Sequence, residues 1–444
     1  MRHIARIVIA ATAAALAGCG GTMPGLSPMG NSLTDGLNGT ARTQTARAKQ
    51  IVQHSPWDVA ALRSHAPNAK FAPERTETVE NKSLPARDVT FEAEPVSGST
   101  LSLSGTLVTP ARAGSGRQHL PALVLISDGA AAPPRDQAAA WAARGYAALA
   151  LGLPAKGVGN EKGGSAGPDW TDEALASPSP GTNPLYASVA AALTAVSVLA
   201  AQPEVDTRRI GLIGSGWGGV VAALAGAVDD RPHALIVARA AGGLNRGPLA
   251  EALKKLPAKN RDAWIKDYDP DSYAQADHPA TLFVQPLAAV DPPLSAVIAT
   301  FRSRTGVKTL ALIPAEAKEG ETATEATWLA ARLLGAPPLP EIRSLKADGD
   351  GALVQVGGKL PPRSVAVYYA AGDLAKADWK SVAGEKAGDR DWRCALPKPE
   401  EGKPLTVFAA LTDAHGAIVC SEPGPLTSGE RPAPGKAVAA RRLR

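Results

Sequence analysis

From about residue 120 to residue 335 one rhythm repeats: short unbroken apolar runs alternate with Ala-rich stretches of helical period. PALVLISDG (121–129), AALALGLP (147–154), RIGLIG (209–214), HALIVARA (233–240), ATLFVQPL (280–287) and KTLALIPA (308–315) read as strands covered on both faces. DQAAAWAARGY (136–146), LYASVAAALTAVSVLAAQ (185–202), GGVVAALAGAV (218–228) and TEATWLAARLLG (324–335) read as the helices between them. Strand, helix and strand in this order predict a doubly wound, mainly parallel sheet, an α/β domain over residues 50–335. Ahead of it, DVTFEAEPVSGSTLSLSGTLVT (88–109) alternates apolar and polar residues around a Gly-Ser turn and predicts an edge hairpin. The stretch 154–184 is long and rich in Gly and Pro, the composition of a loop that walls a site.

The grammar changes at the linker GAPPLPE (335–341). ALVQVGG, SVAVYYA, DWRCALP and LTVFAAL then follow as short strands between Gly, Asp and Pro turns, which predicts a small all-β sandwich over 341–423. Residues 424–444 read as a disordered basic tail. The chain's formal charge of +5 is concentrated there: residues 431–444 hold Arg431, Lys436, Arg441, Arg442 and Arg444 and no acid. The body is close to neutral, so no nucleic-acid partner is expected.

The N-terminus sets the expected compartment. Arg2 and Arg6 precede an apolar stretch from Ile7 to Leu16, and Leu16-Ala17-Gly18-Cys19 follows in the manner of a lipobox. Residues 1–18 are therefore expected to be a lipoprotein signal peptide, Cys19 the lipidated residue, and 19–49 a flexible tether. The expected location is the bacterial cell envelope, on the exported side, with the membrane as partner through the lipid on Cys19. Cys394 and Cys420, the other two cysteines, are candidates for a disulfide in an exported chain, or for buried free thiols.

The chemistry turns on Ile210-Gly211-Leu212-Ile213-Gly214-Ser215-Gly216-Trp217-Gly218-Gly219, a buried strand running through glycines into a helix. A nucleophile elbow, G-x-S-x-G, occupies such a junction. With Gly214 and Gly218 as its outer glycines, the nucleophile position falls on Gly216, which has no oxygen. Glycine also relieves the backbone strain that the position imposes on a residue with a Cβ, about 1 to 3 kcal/mol.

On these residues, together with WDVAAL (57–62), QPEVDTRRIGLIG leading into WGG, and DYDPDSY (267–273), the chain resembles secreted acyl esterases of the α/β-hydrolase superfamily, the acetyl xylan esterase and dienelactone hydrolase-like group. The resemblance runs from about Trp57 to Pro423. It implies a triad acid after the late strand, where ungapped matching on Pro293-Leu294 places Ala289; Asp291 could serve only from a re-routed loop. It implies a histidine after the last strand of the sheet, where Ala317 or Lys318 stands, and the chain has no histidine between His278 and His415. It implies an oxyanion run where Ser127-Asp128-Gly129 stands, with Trp217 following the elbow; a carboxylate at Asp128 opposes a developing negative oxygen.

The leading expectation is thus a degenerate, non-catalytic hydrolase relative that binds a ligand or an envelope protein. The resemblance to polysaccharide esterases suggests a glycan, and Trp141, Trp170, Trp217 and Trp264 are candidate stacking or packing residues. The competing expectation is an acyl ester hydrolase with a rebuilt site that uses Ser215 or Ser127 with Asp291 and Lys318. A third is a structural envelope protein whose basic tail touches anionic surfaces. No P-loop, dinucleotide fingerprint in a suitable context or zinc spacing is present, so no cofactor or metal is expected.

Overall fold

A computed structural model of the chain describes residues 55–426, apart from 66, 97–98, 112–118, 157–164, 277–278, 316–317, 349–350, 372–376 and 398–404. All of these belong to one compact unit, Gln44–Arg444. The expected signal peptide, Cys19, the tether and residues 427–444 lie outside the described residues.

The strands are β1 (Lys70–Phe71), β2 (Arg75–Val79), β3 (Lys82–Val96), β4 (Ser99–Val108), β5 (Leu120–Ile126), β6 (Ala147–Leu151), the short pair β7 (Pro154–Ala155) and β8 (Ser165–Ala166), β9 (Val205–Ser215), β10 (Pro232–Ala238), β11 (Ala280–Pro286) and β12 (Lys308–Ile313). The large sheet runs β1-β3-β4-β6-β5-β9-β10-β11-β12, with β2 also on β3. From β6 to β12 every pairing is parallel; β3, β4 and β6 pair antiparallel. This is the doubly wound, mainly parallel sheet that the apolar rhythm predicts. The 88–109 hairpin forms as β3 and β4, but β3 begins six residues earlier and continues into β2 through a turn at Glu80 and Asn81.

The central strands are apolar along their length because helices cover them. Helix Pro184–Ala200 shows how such an element is specified: Pro184 opens it, and Asn183 caps it by accepting from the N–H groups of Leu185 and Tyr186. Asn183 also donates to Leu175 O and Ser177 O, so this buried amide fixes the end of the long loop to the helix start. Nearly every residue of the helix is buried, which explains why its sequence shows no polar face.

The C-terminal region continues with β13 (Glu341–Asp348), β14 (Gly351–Gly357), β15 (Ser364–Ala371), β16 (Lys380–Ala383), β17 (Glu385–Lys386), β18 (Asp391–Ala395), β19 (Leu405–Thr412), β20 (Ile418–Cys420) and β21 (Gly424–Leu426). They form two antiparallel sheets, β13-β14-β18-β17 and β16-β15-β19-β20, with β21 on β19. Val354, Val367, Cys394, Val407 and Leu411 fill the core between them. Residues 424–426 are thus a strand rather than the beginning of a tail.

The expected alternative of a Cys394–Cys420 bond is not formed. Both thiols are free and buried. Cys394 lies on β18 in the sandwich core, whereas Cys420 lies on β20 and belongs to the hydrolase core. There its Sγ accepts from Leu312 N at 3.4 Å and donates to Leu312 O at 3.6 Å, covering polar groups of β12, the last strand of the large sheet. Burial pushes the thiol up to about 12. Around it, Ile418 N donates to Thr324 Oγ1 at 2.8 Å, and Arg302 binds Glu422 at 2.7 Å and Pro423 O at 2.9 Å.

Candidate functional site

The end of β9 passes into helix Trp217–Val228 through one residue, Gly216, at φ 57° and ψ −127°. L-residues occupy this region only under strain. Gly214, Gly216 and Gly218 together form this turn between strand and helix. Crowding explains the outer two: a Cβ on Gly214 would lie 2.0 Å from Gly218 O, and one on Gly218 would lie 2.4 Å from Ser127 O. Gly216 N donates to Ala238 O at 3.0 Å, so β10 holds the turn from the side.

At Gly216 the crowding comes from a side chain. An ideal Cβ there would lie 2.4 Å from both carboxylate oxygens of Asp128. Asp128 Oδ1 accepts the N–H of Trp217 at 2.7 Å. The carboxylate therefore fills the space of an elbow side chain and takes the backbone donor that follows it. Any side chain at 216 must displace Asp128.

The alternative nucleophiles are each committed elsewhere. Ser127 is 3% exposed; its Oγ accepts from Leu153 N at 3.0 Å and donates to Gly129 O at 3.3 Å, which ties the loop after β5 to the loop after β6. Ser215 is half-buried, and its Oγ accepts from Arg239 Nε at 3.0 Å. A guanidinium cannot take up the proton of that hydroxyl. Arg239 itself is unanticipated by the sequence: it directly follows β10 at φ 48°, in the left-handed region, with its N–H on Val284 O. No motif marks it, and only the strained backbone singles it out.

A cleft of about 490 Å³ opens over Gly216 and Asp128. Trp217, Val220, Arg239, Arg246 and Pro292 line it, and Asp291 stands in its wall, exposed. Ala289 sits in the turn after β11, its N–H on Pro286 O. Lys318 opens helix Lys318–Leu333. Ala317 and His278 lie outside the described residues, and His415 lies in an exposed turn of the sandwich whose N–H binds Asp413 Oδ1 at 2.8 Å. Among the described residues no histidine lines the cleft, and no group of three metal-ligating side chains occurs.

Of the phrase 267–273, Asp271 lines the cleft. Asp269 accepts from the N–H groups of Gly243, Leu244 and Asp271, fixing the glycine turn after β10. Burial raises its carboxyl, against the pull of those donors. Asp271 accepts from Thr300 Oγ1 at 2.9 Å and meets Arg246 at 3.4 Å. Among the tryptophans, Trp141 and Trp264 are core residues. Trp170 donates to Pro154 O at 2.8 Å and packs on Trp217, ring centroids 6.1 Å apart, so the long loop is pinned beside the elbow. Trp57 of WDVAAL stacks on Tyr186 and donates to its carbonyl.

No family model matches the chain, and no curated protein matches it. Solved structures do. An acetyl xylan esterase from Paenibacillus sp. R4 superposes with a TM-score of 0.53 at 19% identity, covering 64% of this chain and 99% of that one. Acetyl xylan esterase 1 from Thermoanaerobacterium sp. JW/SL YS485 gives a TM-score of 0.47 at 15% identity over 60% of this chain and 86% of that one. An α/β hydrolase from Penicillium sp. sh18 gives 0.40 at 18% identity over 56% and 99%. The strand order, the elbow backbone and the first of these likenesses agree: this chain has the α/β-hydrolase fold.

Proposed function

We propose that the protein is a cell-envelope lipoprotein, anchored through Cys19, whose hydrolase domain binds a ligand and does not hydrolyse it. One observation carries this reading: at the elbow Gly216 offers no nucleophile, and the Asp128 carboxylate occupies both the nucleophile's space and the Trp217 N–H. An ester carbonyl brought there would meet negative charge in place of oxyanion donors, the reverse of what acyl transfer requires. Triad groups act as a unit, so a lone neighbouring hydroxyl supplies little rate. Ser215 and Ser127 fit this picture, since one accepts from a guanidinium and the other is buried between two loops. The cleft itself persists, with an aromatic face at Trp217 and charged groups at Asp128, Arg239 and Arg246, which suits a polar ligand such as a glycan.

The test is an acyl-ester panel run on residues 20–444 beside Ser215→Ala and Ser127→Ala. No turnover above the uncatalysed rate is expected from any of the three proteins. Turnover that disappears in Ser215→Ala would identify a rebuilt site and end the non-catalytic reading.

A further inference from the structure

The cleft is lined by three carboxylates, Asp128, Asp271 and Asp291, and two guanidinium groups, Arg239 and Arg246, so acid is in excess. Arg239 is bound to Ser215 Oγ at 3.0 Å, and Arg246 meets Asp271 at 3.4 Å. Among the described residues Asp128 and Asp291 form no ion pair, and the Asp128 carboxylate accepts the Trp217 N–H on Oδ1. Asp128 is an exposed residue, so its carboxylate faces the cleft with acceptor capacity to spare. Beside it stands the Trp217 indole, whose ring face attracts cations. Val220, Ala240, Leu244, Pro292 and Pro293 supply apolar wall for a hydrocarbon body.

These features disfavour one ligand chemistry at the elbow and favour another. An anionic head would face the Asp128 charge and find the elbow N–H already used. A neutral hydroxyl can donate one charge-assisted hydrogen bond to Asp128 but brings no charge of its own to meet the carboxylate or the indole face. An ammonium makes a bond in which both partners are charged, so it adds ion-pair attraction to the hydrogen bond and gains the indole face as well. We propose that the cleft binds the head of an organic primary amine, its ammonium on Asp128 and its hydrocarbon chain along Trp217 and Val220. This rests on the reading of the cleft as a binding site, but not on the absence of catalysis.

The experiment compares three probes of one size, butylammonium, 1-butanol and butyrate, with residues 20–444 at pH 7.5, followed by tryptophan fluorescence and ligand-observed NMR. Butylammonium is expected to saturate with a Kd at least about tenfold below that of butanol, and butyrate not to bind. Asp128→Asn keeps the shape and one acceptor while removing the charge, and should bring ammonium and alcohol to within about twofold, with thermal melting confirming that it folds. Asp291→Asn, farther from the elbow, should reduce the preference less. Butyrate binding as well as butylammonium, no saturable ammonium binding, or an unchanged preference in Asp128→Asn each overturns the proposal. Ester turnover alongside an intact ammonium preference would instead defeat the non-catalytic reading and leave this one standing.

Discussion

The elbow and the seam between the hydrolase domain and the sandwich are held by opposite means. At the elbow the shape comes from backbone packed against backbone: Gly214 against Gly218, Gly218 against the carbonyl of Ser127, Gly216 in a region that strains any residue with a Cβ. At the seam it comes from side chains. Tyr368 and Phe408 stack at 5.0 Å, Trp379 meets Phe408 edge-on at 4.9 Å, and Cys420 covers Leu312. The lesson is that the backbone of such a turn is fixed independently of any chemistry at it, because its glycines are needed to close the strand onto the helix.

The comparison yields ordered expectations. Gly214→Ala puts a Cβ 2.0 Å from a carbonyl oxygen that cannot turn away; a loss of at least about 5 kcal/mol, or failure to fold, is expected, in the exceptional range for one substitution. Urea unfolding with a loss under about 1 kcal/mol would show that the elbow backbone yields. Phe408→Ala removes a fully buried ring from the seam and should cost about 3 to 5 kcal/mol. If the two domains then melt separately in calorimetry, the seam is what couples them.

Gly216→Ala tests the elbow's own device. Backbone strain predicts a loss of about 1 to 3 kcal/mol, with the contact to Asp128 adding to it. In an Asp128→Gly background the added part should vanish. A loss equal in both backgrounds would mean that Asp128 moves aside freely, and would undercut the account of a filled site.

The smallest effect concerns Cys420. An unfolded thiol loses its proton near 9, whereas the buried one holds it to about 12. Between those values the unfolded chain binds fewer protons, so stability falls as pH rises. At pH 10 the contribution is about 1 kcal/mol, and Cys420→Ala should lack that part of the slope. An identical slope in both proteins would show that the thiol is open to solvent.

Much of the fold was legible because parallel strands under two layers of helix must be apolar throughout, as β5, β6 and β10 are. What escaped was short or locally disguised. In β13 a register shift between Ile342 and Ser344 breaks the alternation that reveals an antiparallel strand. The β2–β3 turn uses Glu80 and Asn81 at positive φ without a glycine to mark it. β16 and β17 are only four and two residues long.

The glycine turn between β9 and its helix was legible from glycine spacing, whereas the expectation at Asp128 came from the family resemblance of the run after β5. That the carboxylate reaches across to the Trp217 N–H was not legible, because the two residues are 89 positions apart. Arg239 was hidden for a related reason: its importance lies in backbone angles and a contact to Ser215, neither of which composition reveals. Cys394 and Cys420 were a fair pair by location in the chain, but the two sheets of the sandwich place them in different cores.

The most direct test of the central claim is fluorophosphonate labelling of residues 20–444, with peptide mass spectrometry to find any modified serine. The account expects Ser215 and Ser127 to remain unlabelled in the folded protein, at the level of the same chain with both replaced by alanine. Stoichiometric labelling of either serine would show an activated nucleophile and contradict it.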